Sequence, residues 1–435
     1  MRVLFLTHRL PYAPNRGDRI RAYHMLRTLA GQAEVTLVSL VHDDEEERHA
    51  KDLLSVVAHV EIVRVHRARN LVRGAAMLAT ELPLTHALLD APALPRALEK
   101  AMAGHRPDVV LAYCSGIAHA ALNAPLAHVP LVLDLVDVDS EKWALYARTT
   151  RGPMRWIYER EARCLGRFEE EIARRARSVL VVNERERASL AARVPDAHIL
   201  SVGNGIDVSS FWPDAPPAAA PRVVFCGVFN YRPNERGALW FANEVWPTIR
   251  KLRPDAVLSL VGAHPTAQVL KLARRDPSIE VTGAVPDVRP WLWRSAVAVA
   301  PLAEARGLQN KVLEALAAGL PTITTRIVAE GLPDAVLPGC RRADDPLEFA
   351  HAVVRCLAMR PEERRDVAMR ADLSGLRWED QLRPFRDVIA AAARGSSVAP
   401  PAAAPVESSK GRQESQKPAH HTFRVLRPEQ RLGIR

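Results

Sequence analysis

The residues from Pro301 to Thr325 gather the side-chain types best suited to binding chemistry. They read as a glycine-containing loop, a short helix over about Asn310 to Ala318, a Gly-Pro stop and an apolar strand. A helix that starts beside Gly307 turns its free backbone N–H groups and positive dipole end toward the loop. Lys311 in the first turn adds a full charge, so the unit is suited to an anion. Lys311 and Glu314 are three apart and share a face. One can hold a phosphate while the other accepts hydrogen bonds from hydroxyls, a combination that fits a nucleotide sugar.

Other stretches carry related chemistry. After the first strand, Gly17 allows close backbone approach, Asp18 is placed to cap the next helix, and Arg16 and Arg19 supply positive charge. That loop suits a phosphate or acceptor contact, or serves as a proline-stiffened connector. Asp137 and Asp139 follow an apolar strand, where they can bond sugar hydroxyls or orient an acceptor. Ser140 is an alternative helix cap there, with Trp143 packing behind it. The Asp-Val-Asp triplet also resembles a metal clamp on a diphosphate. A cleft already supplied with a lysine and helix ends has less need of one, and no metal is expected.

Gly203, Asn204 and Gly205 form a turn that Asp207 anchors. Beyond it, Gly227 permits close approach, and Asn230, Arg232 and Asn234 are within reach of phosphates. The apolar turn from Val281 to Pro290, with Gly283 and Val285, is shaped to receive a flat base.

These loops need a scaffold, and the chain supplies one twice. Short apolar strands at Val3–Thr7, Val35–Leu40, Glu61–Val65, Val109–Ala112, Leu131–Leu135 and Val179–Val182 alternate with amphipathic stretches. The stretches are Arg19–Ala30, Glu45–Ala58 and Glu141–Arg177. Apolar runs of this kind belong to parallel strands buried on both faces, the mark of a doubly wound α/β fold. After a Pro/Ala segment at 212–221 the pattern restarts, with strands at Val223–Cys226, Ala256–Val261, Ile279–Thr282, Ala296–Ala300 and Thr322–Thr324. The expected organisation is an acceptor domain at 1–207, a linker at 208–221 and a donor domain at 222–375. A helix at 376–393 packs back toward the first domain, and a basic disordered tail fills 394–435. The tail holds seven basic and three acidic residues from Gly395 onward and reads as solvated, or as a tether.

Composition narrows the function classes. The 435 residues are 48% hydrophobic and 25% charged, enough for two cores, and contain no apolar run long enough to span a bilayer. The start of the chain enters a strand too soon for a signal peptide, so a cytoplasmic location is expected. Cys114, Cys164, Cys226, Cys340 and Cys356 are scattered without metal-ligand or disulfide spacing. A net charge of +10 raises nucleic acid, an anionic membrane surface, or a generally Arg-rich composition. Aromatic content of 5% and the lack of a recognisable module argue against nucleic acid. The Arg-rich stretch 148–177, interleaved with Trp156, Ile157, Tyr158, Leu165 and Phe168, leaves the membrane surface open, beside an ordinary amphipathic helix.

Taken together these residues resemble the retaining glycosyltransferases of the GT-B fold, family four (glycosyl transferases group 1), over about 1–393. The landmarks are Gly17, the turn at 204–207, the restart at Phe225-Cys-Gly, and the block from Lys311 to Pro321. Strings around 14–21, 137–143, 286–290 and 305–315 are similar to the sugar transferases associated with exosortase/PEP-CTERM exopolysaccharide systems. The resemblance implies two Rossmann-like domains facing a cleft, a nucleotide-diphosphate sugar as donor, and a glycan or lipid-linked acceptor. Glu314 would bond the ribose, Lys311 would neutralise the diphosphate, and the turn from Gly283 to Pro286 would contact the base. Leu308, Gln309 and Asn310 would present backbone N–H groups. Arg306 stands where the family carries a second glutamate, which favours phosphate or an acidic sugar, and Glu304 is nearby but out of register. Tyr113, Cys114 and Ser115 replace the family's histidine after the fourth strand. The implied chemistry is front-face transfer with retention, carried by leaving-group stabilisation, without a cofactor or an enzyme base. A silent scaffold and a sugar-nucleotide epimerase of the same fold are the rival readings.

Overall fold

The computed structural model describes residues 1–12, 17–104, 106–213, 220–305 and 308–396; of residues 17 and 18 it describes the backbone. Arg16, Arg306 and Gly307, part of the 208–221 linker, and nearly all of the expected tail lie outside those residues.

Two parallel sheets carry the architecture. The first contains β1 (Arg2–Thr7), β2 (Glu34–Val41), β3 (His59–Arg64), β4 (Val109–Tyr113), β5 (Leu131–Val136), β6 (Ser178–Val181) and β7 (Ile199–Ser201), in the order 3-2-1-4-5-6-7. The second contains β8 (Arg222–Cys226), β9 (Val257–Val261), β10 (Ile279–Val281), β11 (Val297–Ala300), β12 (Thr322–Thr324) and β13 (Cys340–Arg342), in the order 10-9-8-11-12-13. Both orders reverse beside the first strand of the sheet, the doubly wound switch point at which ligands bind.

The central strands have no solvent-facing side because both faces are covered. Leu4 and Leu6 of β1 enter one apolar cluster, while Val3 and Phe5 enter another on the opposite side. In the second sheet Val223 and Phe225 face one cluster and Val224 the other.

The stretch expected as one helix over Glu141–Arg177 is two, Asp139–Thr149 and Pro153–Arg175. Gly152 and Pro153 interrupt it: glycine takes a left-handed turn, and proline opens the next helix. The Glu45–Ala58 expectation likewise shortens to Asp44–His49 and a 3₁₀ turn at Asp52–Ser55. Near the end, Trp378–Gln381 and Arg383–Ala393 replace a single helix. Trp378, Leu382, Phe385, Val388 and Ile389 are buried in the same cluster as Val3 and Phe5 of the first sheet. Two crossings between the sheets lie side by side, with Ile206 bridged to Arg377 and its N–H bonded to the Leu376 carbonyl at 2.7 Å.

Candidate functional site

The Asn310–Ala317 helix follows β11 and precedes β12, so its start lies at the carboxyl ends of the second sheet's strands. Its stop is a Schellman motif: Leu320 N–H bonds to the Ala315 carbonyl and Gly319 N–H to that of Leu316, both at 2.9 Å. Gly319 has φ +77°, a conformation that favours glycine. The start is different. Gln309 occupies the cap position without a side-chain cap bond, and Asn310 Oδ1 is buried without a partner. The helix is closed at one end by its own backbone and carries no side-chain cap bond at the other, which suits a ligand site.

Lys311 and Glu314 share the face that looks out of this end. Lys311 Nζ donates to Asn234 Oδ1 at 2.5 Å and lies 5.0 Å from the centre of the Phe225 ring. Burial holds the Lys311 ammonium down to about 8, although Cys226 and Glu314 pull the other way. Burial also pushes the Glu314 carboxyl up to about 7, opposed by Lys311. Both groups therefore titrate near neutral pH, and the excess cost of the Lys311 charge is one that an anionic ligand would relieve.

Asn234 joins this group, a partner for Lys311 that spacing along the chain does not reveal. It is buried on the Arg232–Trp240 helix, and its Nδ2 donates to the Val228 carbonyl at 3.0 Å. A Cβ at residue 227 would stand 2.8 Å from that nitrogen, so Gly227 makes room for Asn234. Asn230 is exposed in the preceding turn. Arg232 does not end free in the cleft: its guanidinium donates to the Thr149 carbonyl at 3.1 Å, across to the first sheet's half. Gly283 has φ +70° in the turn after β10, and its carbonyl accepts from Thr282 Oγ1. Val285 packs against the cluster containing Val224 and Leu292. Leu308 is partly buried beside the other apolar cluster.

Glu304, out of register in the sequence, has one carboxylate oxygen bonded by Arg236 at 2.6 Å while Oε2 is buried and unpaired. Burial is the largest cause that raises the Tyr146 hydroxyl of the first half, and the Glu304 carboxylate adds to it.

On the first sheet, the carboxyl ends of β4 and β5 carry two left-handed non-glycine residues, Cys114 (φ 69°) and Val136 (φ 65°). A β-branched residue in that region is strained, and strain of this kind gathers at functional sites. Val136 sits at a register shift in the β5–β6 pairing and immediately precedes Asp137. Asp139 accepts from Ser115 Oγ at 3.1 Å and from Lys142 Nζ at 3.5 Å. Burial acts to lower Lys142, but Asp139, Tyr146, Tyr231 and Asp137 together raise it. Tyr231 belongs to the second half, so this group too spans the cleft.

Several expectations need correction. Ser140 is no cap: it lies inside its helix and donates to the buried Glu169. Arg19 is not open to an acceptor, because it is buried and paired with Glu46 at 2.6 Å. Gly17 opens the helix that runs to Ala30, so Asp18 falls within that helix and not before it. Asp207, in contrast, caps the short Val208–Phe211 helix. None of the five cysteines forms a disulfide. Among the described residues no group of three or more His, Cys, Asp or Glu is arranged to hold a metal ion.

Two doubly wound parallel sheets with this crossing are the fold of the GT-B glycosyltransferases. Solved structures with the same architecture include sucrose-phosphate synthase (tll1590) from Thermosynechococcus elongatus, at TM-score 0.66 and 19% identity, covering 90% of this chain and 100% of that one. Anabaena Alr3699/HepE in complex with UDP and glucose matches at TM-score 0.62 and 13% identity, over 90% and 99% of the two chains. WaaG, a glycosyltransferase involved in lipopolysaccharide biosynthesis, matches at TM-score 0.58 and 16% identity, over 87% and 98%. Residues 220–359, the sequence around Lys311 and Glu314 included, match the family model described as Glycosyl transferases group 1. A search of curated protein sequences finds no match.

Proposed function

We propose that the chain transfers a sugar from a nucleotide-diphosphate sugar to a glycan or lipid-linked acceptor, with retention, in exopolysaccharide synthesis. The observation that carries the reading is the start of the Asn310–Ala317 helix, which has no side-chain cap bond, with Lys311 and Glu314 on one face beside it. Residues 222–375 form the donor half and 1–207 the acceptor half. Lys311 and the Leu308–Asn310 backbone N–H groups hold the diphosphate and stabilise it as it leaves. Glu314 accepts from the ribose, and the Gly283–Val285 turn meets the base. Asp137 and Asp139 face the acceptor side, where Lys142 Nζ lies 3.5 Å from an Asp139 carboxylate oxygen. The leaving phosphate takes the acceptor's proton, and the chain supplies no base of its own. The exopolysaccharide role rests on the sequence strings that resemble the exosortase-associated subgroup.

An anionic membrane surface at the first half fits the same reading. Trp156 and Met154 are exposed at the start of the Pro153–Arg175 helix, among arginines. A groove of about 580 Å³ beside them is floored by Ala144, Ala147 and Ala162 and rimmed by Arg148 and Arg163. No helix among the described residues is long and apolar enough to cross a membrane.

A panel of nucleotide sugars tests the assignment by thermal shift and nucleotide release, with Lys311→Ala and Glu314→Ala alongside. One donor should raise the melting temperature of the wild type and be turned over, while both variants lose the response. Absence of any responding donor, or variants that behave as wild type, ends the transferase reading.

A further inference from the structure

Lys311 has a long, flexible stem and a carboxylate one turn away on its own helix face, so its resting position needs an explanation. Its hydrogen-bond partner is not Glu314 but the amide oxygen of Asn234, on a different element, at 2.5 Å. Asn234 is 6% exposed and cannot rearrange freely. Its amide orientation is set from behind, because Nδ2 donates to the Val228 carbonyl at 3.0 Å. The reversed amide would place two carbonyl oxygens together at Val228 and two donors together at Lys311. The missing side chain at Gly227 leaves the space in which the amide sits.

We infer that Asn234 is the positioning residue that presents Lys311 to the phosphates of a nucleoside-diphosphate donor. The inference rests on the donor-site reading above. An amide oxygen suits this role because it fixes an ammonium without cancelling its charge. A carboxylate in the same place would hold Lys311 equally well but would neutralise it before a phosphate arrived. Leaving the place empty would release Nζ toward Glu314, removing both the cation and the hydroxyl acceptor from the site in one movement. An ammonium has three donors. One is used on Asn234, and the Phe225 ring lines another side, so the direction left open is restricted.

The test compares wild type with Asn234→Ala and the isosteric Asn234→Asp, using nucleoside diphosphates (UDP, GDP, ADP, CDP, dTDP) and the matching nucleosides as probes in calorimetry. For whichever diphosphate binds the wild type, Asn234→Ala should weaken affinity about tenfold. Asn234→Asp should weaken it at least as much, although it keeps the hydrogen bond to Lys311. The matching nucleoside, lacking phosphates, should bind all three proteins alike. A purely structural asparagine, whose loss also removes the donor to Val228, would lower the affinity for both ligands together. Diphosphate affinities within twofold of wild type, or a parallel loss for the nucleoside, overturn the assignment of Asn234 and leave the donor site standing. A wild type that binds none of the diphosphates overturns the donor site itself. Melting temperatures confirm that each variant is folded, and the aspartate variant carries the test alone if the alanine variant is not.

Discussion

Arg21 Nε stands 2.9 Å from Asp134 Oδ2, in an ion pair whose side chains are 1% and 0% exposed. The same guanidinium reaches the carbonyl of Val202 at 2.8 Å and Oδ1 of Asn204 at 3.1 Å. One side chain thus ties the first helix to the end of β5 and to the turn that leads out of the first sheet. Arg21→Leu would leave Asp134 charged or protonated in a site built for a pair. The expected loss is about 3–5 kcal/mol, read from urea unfolding of the variant against wild type.

Lys311 and Glu314 give the site a narrow pH window. Lys311 keeps its charge below about 8, and Glu314 is ionised above about 7. Nucleoside-diphosphate affinity should be greatest between those values and fall by up to roughly tenfold per pH unit above the upper one. Stability of the unliganded chain runs oppositely. The Lys311 value is lowered, so above it the unfolded chain holds the extra proton and stability rises with pH. The Glu314 value is raised, so the folded chain holds the extra proton at acid pH and stability falls as pH climbs toward that value. Lys311→Arg, which stays charged, should abolish the alkaline loss of affinity in calorimetric titrations.

Arg232 ties the two halves together through the end of the Asp139–Thr149 helix. A hydrogen bond from a charged donor contributes about 1.5–3 kcal/mol. Arg232→Ala should therefore speed amide exchange around residues 149–152 by about tenfold or more, measured by hydrogen–deuterium exchange. Unchanged exchange there would show that the tie holds nothing in place.

Gly227→Ala introduces a methyl group 2.8 Å from Asn234 Nδ2. The amide cannot yield without losing Val228 or Lys311. Overpacking of this kind costs about 1–3 kcal/mol, and the variant should lower both the melting temperature and diphosphate affinity. A drop in melting temperature with unaltered affinity would separate Gly227 from the site.

Much of this arrangement is legible in sequence because it is periodic or local. The span from Gly307 to Pro321 contains its own start signal, its stop and its paired side chains, so helix and shared face follow from spacing alone. The strand alternation is equally direct, since each apolar run is buried on both sides. What escapes is either too short or too distant. β7 and β13 span three residues each and lack the Gly-Leu-Pro stop that announces the equally short β12. Arg19 looks like a loose cation until Glu46, on another helix, claims it. Asn234 acquires its meaning only when the fold sets it against a lysine far along the chain. The left-handed turns at Cys114 and Val136 carry no residue signature, because strain is imposed by the surrounding sheet.

The first sheet is sealed by Trp378, Leu382, Phe385, Val388 and Ile389, which come from the far end of the folded chain. During synthesis those side chains emerge only after every strand of the second sheet has been made. The half that begins first is therefore completed last, and its apolar face stays uncovered while the later half assembles. A nascent chain that had emerged only as far as residue 377 would hold a finished donor half joined to an unfinished partner. Any quality control acting on this protein would meet the first sheet's exposed face before it met a defect in the second.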